Sequence, residues 1–177
     1  MPDTDEFLMF LPADQDPREH GGWEGERATL LGSLRDRRLT FEMKCSGLDA
    51  EGLARRAVPP SSLSLLGLLR HLADAERHWF RRVLAGEEIG AVRPGDDAFE
   101  GAVADEAVVA RAWEQWRTEL GHAERFTAGV EDMGTMSKGG ETPIALREVL
   151  VHLIDEYARH IGHADLLRER VDGRVGE

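Results

Sequence analysis

The residues of this sequence that are best suited to chemistry stand at helical spacing between positions 152 and 163. Glu156 and His160 are four residues apart, so in a helix their side chains lie on adjacent turns and can bind one divalent metal ion. His160 and His163 could share an ion in the same way. His152 lies about 12 Å from His160 along the helix axis, which is too far for both to bind one ion. This helix therefore offers two ligands, and a third must come from another part of the chain.

His71 is the candidate for the third ligand, because it lies in a second helical stretch, one position off its apolar face. Two ligands from one helix and one from another leave coordination positions open, as a catalytic metal site requires. His78, seven residues further on, is an alternative third ligand. Asp74 lies on the same flank and could orient a ligand. The competing interpretation is that these histidines are ordinary polar residues at the edge of an apolar helix face.

Four stretches of the chain carry helical periodicity, and runs of β-branched residues typical of strands are missing. Ser62 or Ser64 offers an N-cap for the second helix. Thr142 and Pro143 suit the first turn of the fourth helix, and Gly173 suits its exit. Each helix has one apolar stripe, which predicts an all-α four-helix bundle. The predicted helices cover approximately 23–45, 62–85, 105–126 and 142–173.

The length of 177 residues predicts one domain over the whole chain, with residues 1–21 as an N-terminal extension. Two long loops, near 87–101 and 127–141, join the last three helices. Loops of this length are either binding loops or passive connections, and the sequence leaves both possibilities open.

Charge and composition disfavour several classes of partner. A net charge of -12 disfavours nucleic acid and anionic membranes, because phosphate groups are bound by basic surfaces. The apolar run at 7–11 is too short to span a membrane, and the acidic start does not resemble a secretory signal. The single cysteine, Cys45, is predicted to be a packing residue, and the lack of a disulfide framework favours the cytoplasm.

The stretches 64–79 and 152–169 resemble the DinB-like superfamily, and in particular the small actinobacterial group once called mini-circle proteins. The resemblance extends from about Gly22 to Gly173. It implies a four-helix bundle that holds a divalent metal ion with one histidine of the second helix and two ligands of the fourth.

Carried over position by position, the resemblance assigns the metal ligands to His71, Glu156 and His160. Many DinB-like proteins have histidine where this chain has Glu156, and the Glu-x-x-x-His pattern is similar to that of mycothiol-dependent maleylpyruvate isomerases. Such a ligand set suits Zn²⁺, with Ni²⁺ as the alternative. His163 matches no ligand position, and we predict that it orients a ligand or faces the substrate as a catalytic group.

The resemblance implies a metal-dependent S-transferase that uses a low-molecular-weight thiol such as mycothiol on a small-molecule substrate, in detoxification or a stress response. It also implies a homodimer. A metal-dependent hydrolase is a second hypothesis, and the two differ in whether product formation requires a thiol. A non-catalytic metal-binding stress protein is the third hypothesis.

Overall fold

Helices are the main elements of residues 11–90, 92 and 97–176, which are the residues that the computed structural model describes. These residues contain one isolated β-bridge and no strand. The predicted all-α fold is therefore confirmed, and no helix of the described chain is both long and apolar enough to cross a membrane. In chain order the α-helices are α1 (Gly25–Cys45), α2 (Ala50–Ala54), α3 (Leu65–Glu76), α4 (Glu106–Ala128) and α5 (Leu146–Asp172).

Capping side chains explain where the second and third long helices begin. The Ser64 side chain accepts a hydrogen bond from the Gly67 N–H at 3.1 Å, so Ser64, and not Ser62, is the N-cap of α3. Asp105 caps α4 by accepting from two backbone N–H groups of the first turn, at 2.7 and 3.1 Å. At the end of α5, Gly173 is left-handed with φ of +78°, which confirms it as the exit residue.

The predicted start of the last helix at Thr142 and Pro143 is wrong, because α5 begins at Leu146. Its N-cap Ala145 is extended and takes part in the β-bridge with the preceding loop. The Ala145 N–H donates to the Glu148 carboxylate at 2.9 Å, so a glutamate of the first turn supplies the capping interaction.

From this helix start we predict how two substitutions change the free energy of unfolding. Replacing Glu148 by alanine should lower the free energy of unfolding by about 0.5–1 kcal/mol, because the Ala145 N–H loses its acceptor. Replacing Thr142, which lies outside the helix, should change it by less than about 0.5 kcal/mol. Urea denaturation followed by circular dichroism measures both. A larger loss for Thr142→Ala than for Glu148→Ala would contradict this helix start.

Two features of the middle of the chain were not predicted. The short helix α2 precedes the two prolines, and α3 continues as a π-helix over Arg77–Leu84. The Ala85 N–H donates to the Phe80 carbonyl at 3.0 Å, which is the five-residue spacing of a π-helix. In this π-helix Phe80 is buried, whereas His78 and Arg82 are exposed.

The helices pack in pairs, α1 against α5 and α3 with its π-helix against α4, and α3 also contacts α5. Leucines, alanines and aromatic residues of the four long helices form the core, which confirms the predicted bundle. Before α1, Arg18 donates to Thr40 at 3.0 Å, so the described part of the predicted extension packs on α1. The apolar run at 7–11 lies outside the described residues except for Leu11, and so do positions 91 and 93–96 of the predicted long loop.

A buried polar network joins the four long helices. Trp116 of α4 donates to the Tyr157 hydroxyl of α5, which donates to Glu76 of α3, and both distances are 2.9 Å. Arg38 of α1 donates to the two carboxylate oxygens of Glu76 at 2.8 and 2.7 Å. Burial and the Glu76 carboxylate raise the pKa of Tyr157 well above 10, so its hydroxyl stays a donor at neutral pH. Each side chain of this network therefore has a partner on another helix.

Candidate metal centre

The contact between α3 and α5 brings together the three side chains predicted as metal ligands. His71 projects from α3, and Glu156 and His160 project from adjacent turns of α5. One ligand atom from each of them lies within 4.8 Å of the other two. The exposed fractions of the side chains are 32% for His71, 16% for Glu156 and 11% for His160, so the group is half-buried with one side open to solvent.

One carboxylate oxygen lies at the middle of the group. The Nε2 atoms of His71 and His160 are 2.9 and 3.2 Å from the Oε1 atom of Glu156. A carboxylate only accepts hydrogen bonds, so both Nε2 atoms carry a proton in this arrangement. A metal ion bound by these atoms would replace those two protons.

The pKa shifts favour the charge states that ligands need. For Glu156, burial raises the pKa, but hydrogen bonds from His71 and His160 and the charges of these residues lower it by more. The resulting pKa is below 4.5. For His160, burial lowers the pKa below 6.5, and repulsion from His71 adds to this effect. At neutral pH Glu156 is ionised and His160 is neutral, which are the forms that bind metal ions.

The dimensions and chemistry of the group fit a divalent transition-metal ion. Ligand atoms at about 2.1 Å from a tetrahedral ion lie about 3.4 Å from one another. The separations of 2.9 and 3.2 Å around Glu156 are close to this value. Two imidazole nitrogens and one carboxylate oxygen form a ligand set that Zn²⁺ accepts, and Ni²⁺ and other ions of the first transition row also bind imidazole.

His163 contacts the ring of His160 on the side away from Glu156. The two Nδ1 atoms are 3.3 Å apart, and the ring centroids are 5.3 Å apart. Because the neutral His160 ring carries its proton on Nε2, its Nδ1 atom accepts a hydrogen bond from His163. The geometry thus places His163 in direct contact with His160.

Phe99 is a neighbour of the centre that sequence reasoning missed. Its ring stacks on the His71 ring with centroids 5.9 Å apart and planes 28° apart. A Cβ atom at Gly67 would lie 2.6 Å from the Phe99 ring, so only glycine at this position of α3 allows the contact. No periodicity or motif distinguishes Phe99, which lies in the loop before α4.

The other predicted candidates lie apart from the three ligand atoms. His78, the alternative third ligand, is exposed and contacts the Trp79 ring at 5.1 Å between centroids. The His152 ring contacts the same Trp79 ring, with centroids 4.7 Å apart. Cys45 is buried, and burial raises the pKa of its thiol, as expected of a packing residue.

A four-helix bundle with a His/Glu/His group between two of its helices has the architecture of the DinB-like superfamily. Residues 29–173, most of the chain, match the family model of the mycothiol-S-transferases (MST), and the chain belongs to this DinB-like family. None of the curated proteins compared with the chain matches it.

Proposed function

We propose that the protein is a metal-dependent S-transferase that couples a low-molecular-weight thiol of the mycothiol type to a small electrophile. The observation that carries the proposal is the convergence of His71, Glu156 and His160 within 4.8 Å, in a chain of the mycothiol-S-transferase family. In this proposal the three side chains hold one divalent ion, with Zn²⁺ as the first candidate and Ni²⁺ as the second.

The chemistry of the proposed reaction requires a thiolate at neutral pH. A divalent ion held by His71, Glu156 and His160 would supply this by lowering the pKa of a thiol bound to it. The thiolate sulfur forms a bond to the electrophilic atom, the leaving group departs with its bonding electron pair, and the thiol proton passes to solvent. The His71 side chain is partly exposed, so the centre can be approached from solvent on that side, and the Phe99 ring covers one flank of it.

The proposal is tested by metal analysis and by thiol dependence. Tag-free protein should contain close to one equivalent of metal, or take it up from Zn²⁺ or Ni²⁺ solutions. With mycothiol and an activated aryl chloride, product should form faster than in the uncatalysed reaction, and chelation should remove the excess rate. Protein that never binds metal would refute the proposal. Metal-dependent product formation without any thiol would instead favour the hydrolase hypothesis.

His163 is proposed to orient His160 and not to react with substrate. When the Nε2 atom of a histidine binds a metal ion, its Nδ1 atom carries the proton and needs an acceptor. The His163 Nδ1 atom, at 3.3 Å, is in position to accept it.

A His163→Ala variant should therefore bind Zn²⁺ about 10-fold more weakly, since loss of an orienting partner usually costs 10–100-fold in metal affinity. Competition with a coloured chelator measures this. His163→Gln, which retains a hydrogen-bonding side chain, should recover part of the affinity. Unchanged metal affinity together with a lost rate would indicate that His163 faces the substrate.

Four further expectations stay predictions. The family resemblance implies a homodimer, which sedimentation velocity would test. The chain is predicted to form one domain and to act in the cytoplasm. Nucleic acid remains an unfavourable partner for a chain of net charge -12.

A further inference from the structure

A partly exposed aromatic and basic surface continues from the candidate metal centre along the same two helices. It consists of Trp79 with His78, Arg82 and His152, and we refer to it as the π-helix patch. The Trp79 ring contacts His152 with centroids 4.7 Å apart and His78 with centroids 5.1 Å apart. Three of these residues belong to the π-helix, and π-helical turns are frequently found at functional sites.

Arg82 brings a positive charge to this patch. Arg82 is exposed and makes no ion pair with any carboxylate of the described chain. The acidic residues on the flanks have other interactions. Asp155 pairs with an arginine of its own helix at 2.7 Å, and Glu148 accepts from the Ala145 N–H at 2.9 Å. Asp74, one turn before His78, is also engaged in an interaction.

The environment of His78 reflects this local excess of positive charge. Its pKa is lowered below 6.5, first by burial and then by the nearby charges of Arg82 and His152. An anion at this position would meet a guanidinium group and imidazole N–H donors, which form charge-assisted hydrogen bonds. The adjacent Trp79 ring offers a flat apolar surface to a ligand.

One end of the patch, His152, lies within reach of a molecule whose reactive atom is at the metal centre. His152 and Glu156 are four residues apart on α5, which is about 6 Å along the helix axis. The patch residues of the π-helix follow His71 in the same continuous helical segment. A planar substrate with its reactive carbon at the centre could therefore place a substituent beside Trp79 and His152.

From these contacts we infer that the π-helix patch binds a carboxylate group of the electrophilic substrate, while the Trp79 ring packs against the planar body of that substrate. This inference rests on the proposed function, since it names the class of electrophile: a planar, carboxylate-bearing molecule. Arg82 is the residue that supplies the charge, because its guanidinium group can bind both carboxylate oxygens.

The inference is tested first by binding, without any thiol. The probes are 4-chloro-3-nitrobenzoate and its neutral amide, 4-chloro-3-nitrobenzamide, which have nearly the same shape. We expect the Kd of the benzoate to be about 10-fold lower than that of the amide, the value of one charge-assisted interaction. In Arg82→Gln the difference should fall below about 3-fold, and in Arg111→Gln it should remain. Arg111 is a matched control, because it is an exposed arginine on α4.

Chelation of the metal ion shows whether the preference for the benzoate comes from the patch or from the metal centre. A carboxylate can bind a metal ion directly, so the titration is repeated on metal-stripped protein. If the benzoate still binds more tightly to the metal-stripped protein, and the His78 and His152 imidazole NMR signals shift on binding, the result supports carboxylate binding by the patch. Equal Kd values for the two probes, no binding of either probe, a preference retained in Arg82→Gln, or a preference lost on chelation would each overturn the inference.

Conjugation rates with mycothiol then test this inference and the proposed function independently. With mycothiol, the C–S bond forms at the ring carbon that carries chlorine, the C–Cl bond breaks, chloride leaves with the electron pair, and the thiol proton passes to solvent. Rates are divided by the uncatalysed rate for each probe. Selective binding of the benzoate without any conjugation would refute the proposed function but support the patch. Conjugation of both probes without selective binding would do the reverse.

Discussion

Replacing His71 or His160 by alanine is expected to reduce the bound metal from near one equivalent to below about 0.1 equivalent. The reason is the small number of ligands, because each variant leaves two side chains to hold an ion that needs at least three from the protein. Thiol-transfer activity should be lost together with the metal. Inductively coupled plasma mass spectrometry of gel-filtered protein measures the metal, and far-ultraviolet circular dichroism shows whether the helices remain.

His122→Ala is the matched control, since it removes a partly exposed histidine from α4, away from the centre. It should retain the metal of the parent protein. Glu156→Gln preserves the shape of the third ligand but removes its charge, and it should bind metal more weakly without unfolding the bundle. If His71→Ala retains its metal while His78→Ala loses it, the third ligand is His78 and the assignment of His71 is wrong.

The bundle was predictable because its helices carry their apolar residues at regular spacing. The start of α5 was not, although Thr142 and Pro143 satisfy the local rules for a helix start. The Ser137 N–H donates to the Ile144 carbonyl at 2.8 Å, and the next residue forms the β-bridge. These contacts hold the segment extended until Leu146, so tertiary pairing overrides the local capping signal.

The candidate site was predictable in part. Helical spacing alone allowed either Glu156 or His163 to share an ion with His160. It also left both His71 and His78 as the third ligand, because periodicity does not give the register between two helices. The family resemblance favoured His71, and the structure places it against Glu156. Phe99 could not be predicted, since its position depends on how a loop folds back on Gly67.

The sequence contains a signal for the buried network but none for the π-helix. Glu76 follows Leu72 by four residues, on the apolar face of α3, and a charged residue at such a position needs a buried partner. That signal was available, although it does not name Arg38 as the partner. The π-helix has no comparable signal, because a change in hydrogen-bond spacing leaves the composition of the segment unaltered.

Replacing Glu76 by leucine should lower the free energy of unfolding by about 3–5 kcal/mol, because it leaves the Arg38 charge buried without its partner. Glu76 is 0% exposed and the Arg38 side chain is 13% exposed. Urea denaturation followed by circular dichroism measures the loss. Glu42→Ala, which breaks the exposed pair with Arg117 at 3.0 Å, is the control and should cost less than about 1 kcal/mol.

The double variant Glu76→Leu with Arg38→Met identifies the source of that loss. If the cost of Glu76→Leu comes from the uncompensated charge, the double variant should be more stable than either single variant by about 1 kcal/mol or more. Additive losses from the two substitutions would show that the ion pair itself contributes little. The Tyr157 hydroxyl loses its acceptor in both Glu76 variants, so it does not affect the comparison between them.

The same variants test whether the network also positions the metal ligands. Tyr157 is adjacent to Glu156 on α5, and Glu76 lies five residues after His71 on α3, so the network fixes the rotation of both helices directly beneath the centre. In the folded double variant we therefore expect Zn²⁺ to bind about 10-fold more weakly, as for loss of other supporting contacts. Unchanged Zn²⁺ affinity would mean that the packing of α3 against α5 orients His71 and Glu156 without help from the buried ion pair.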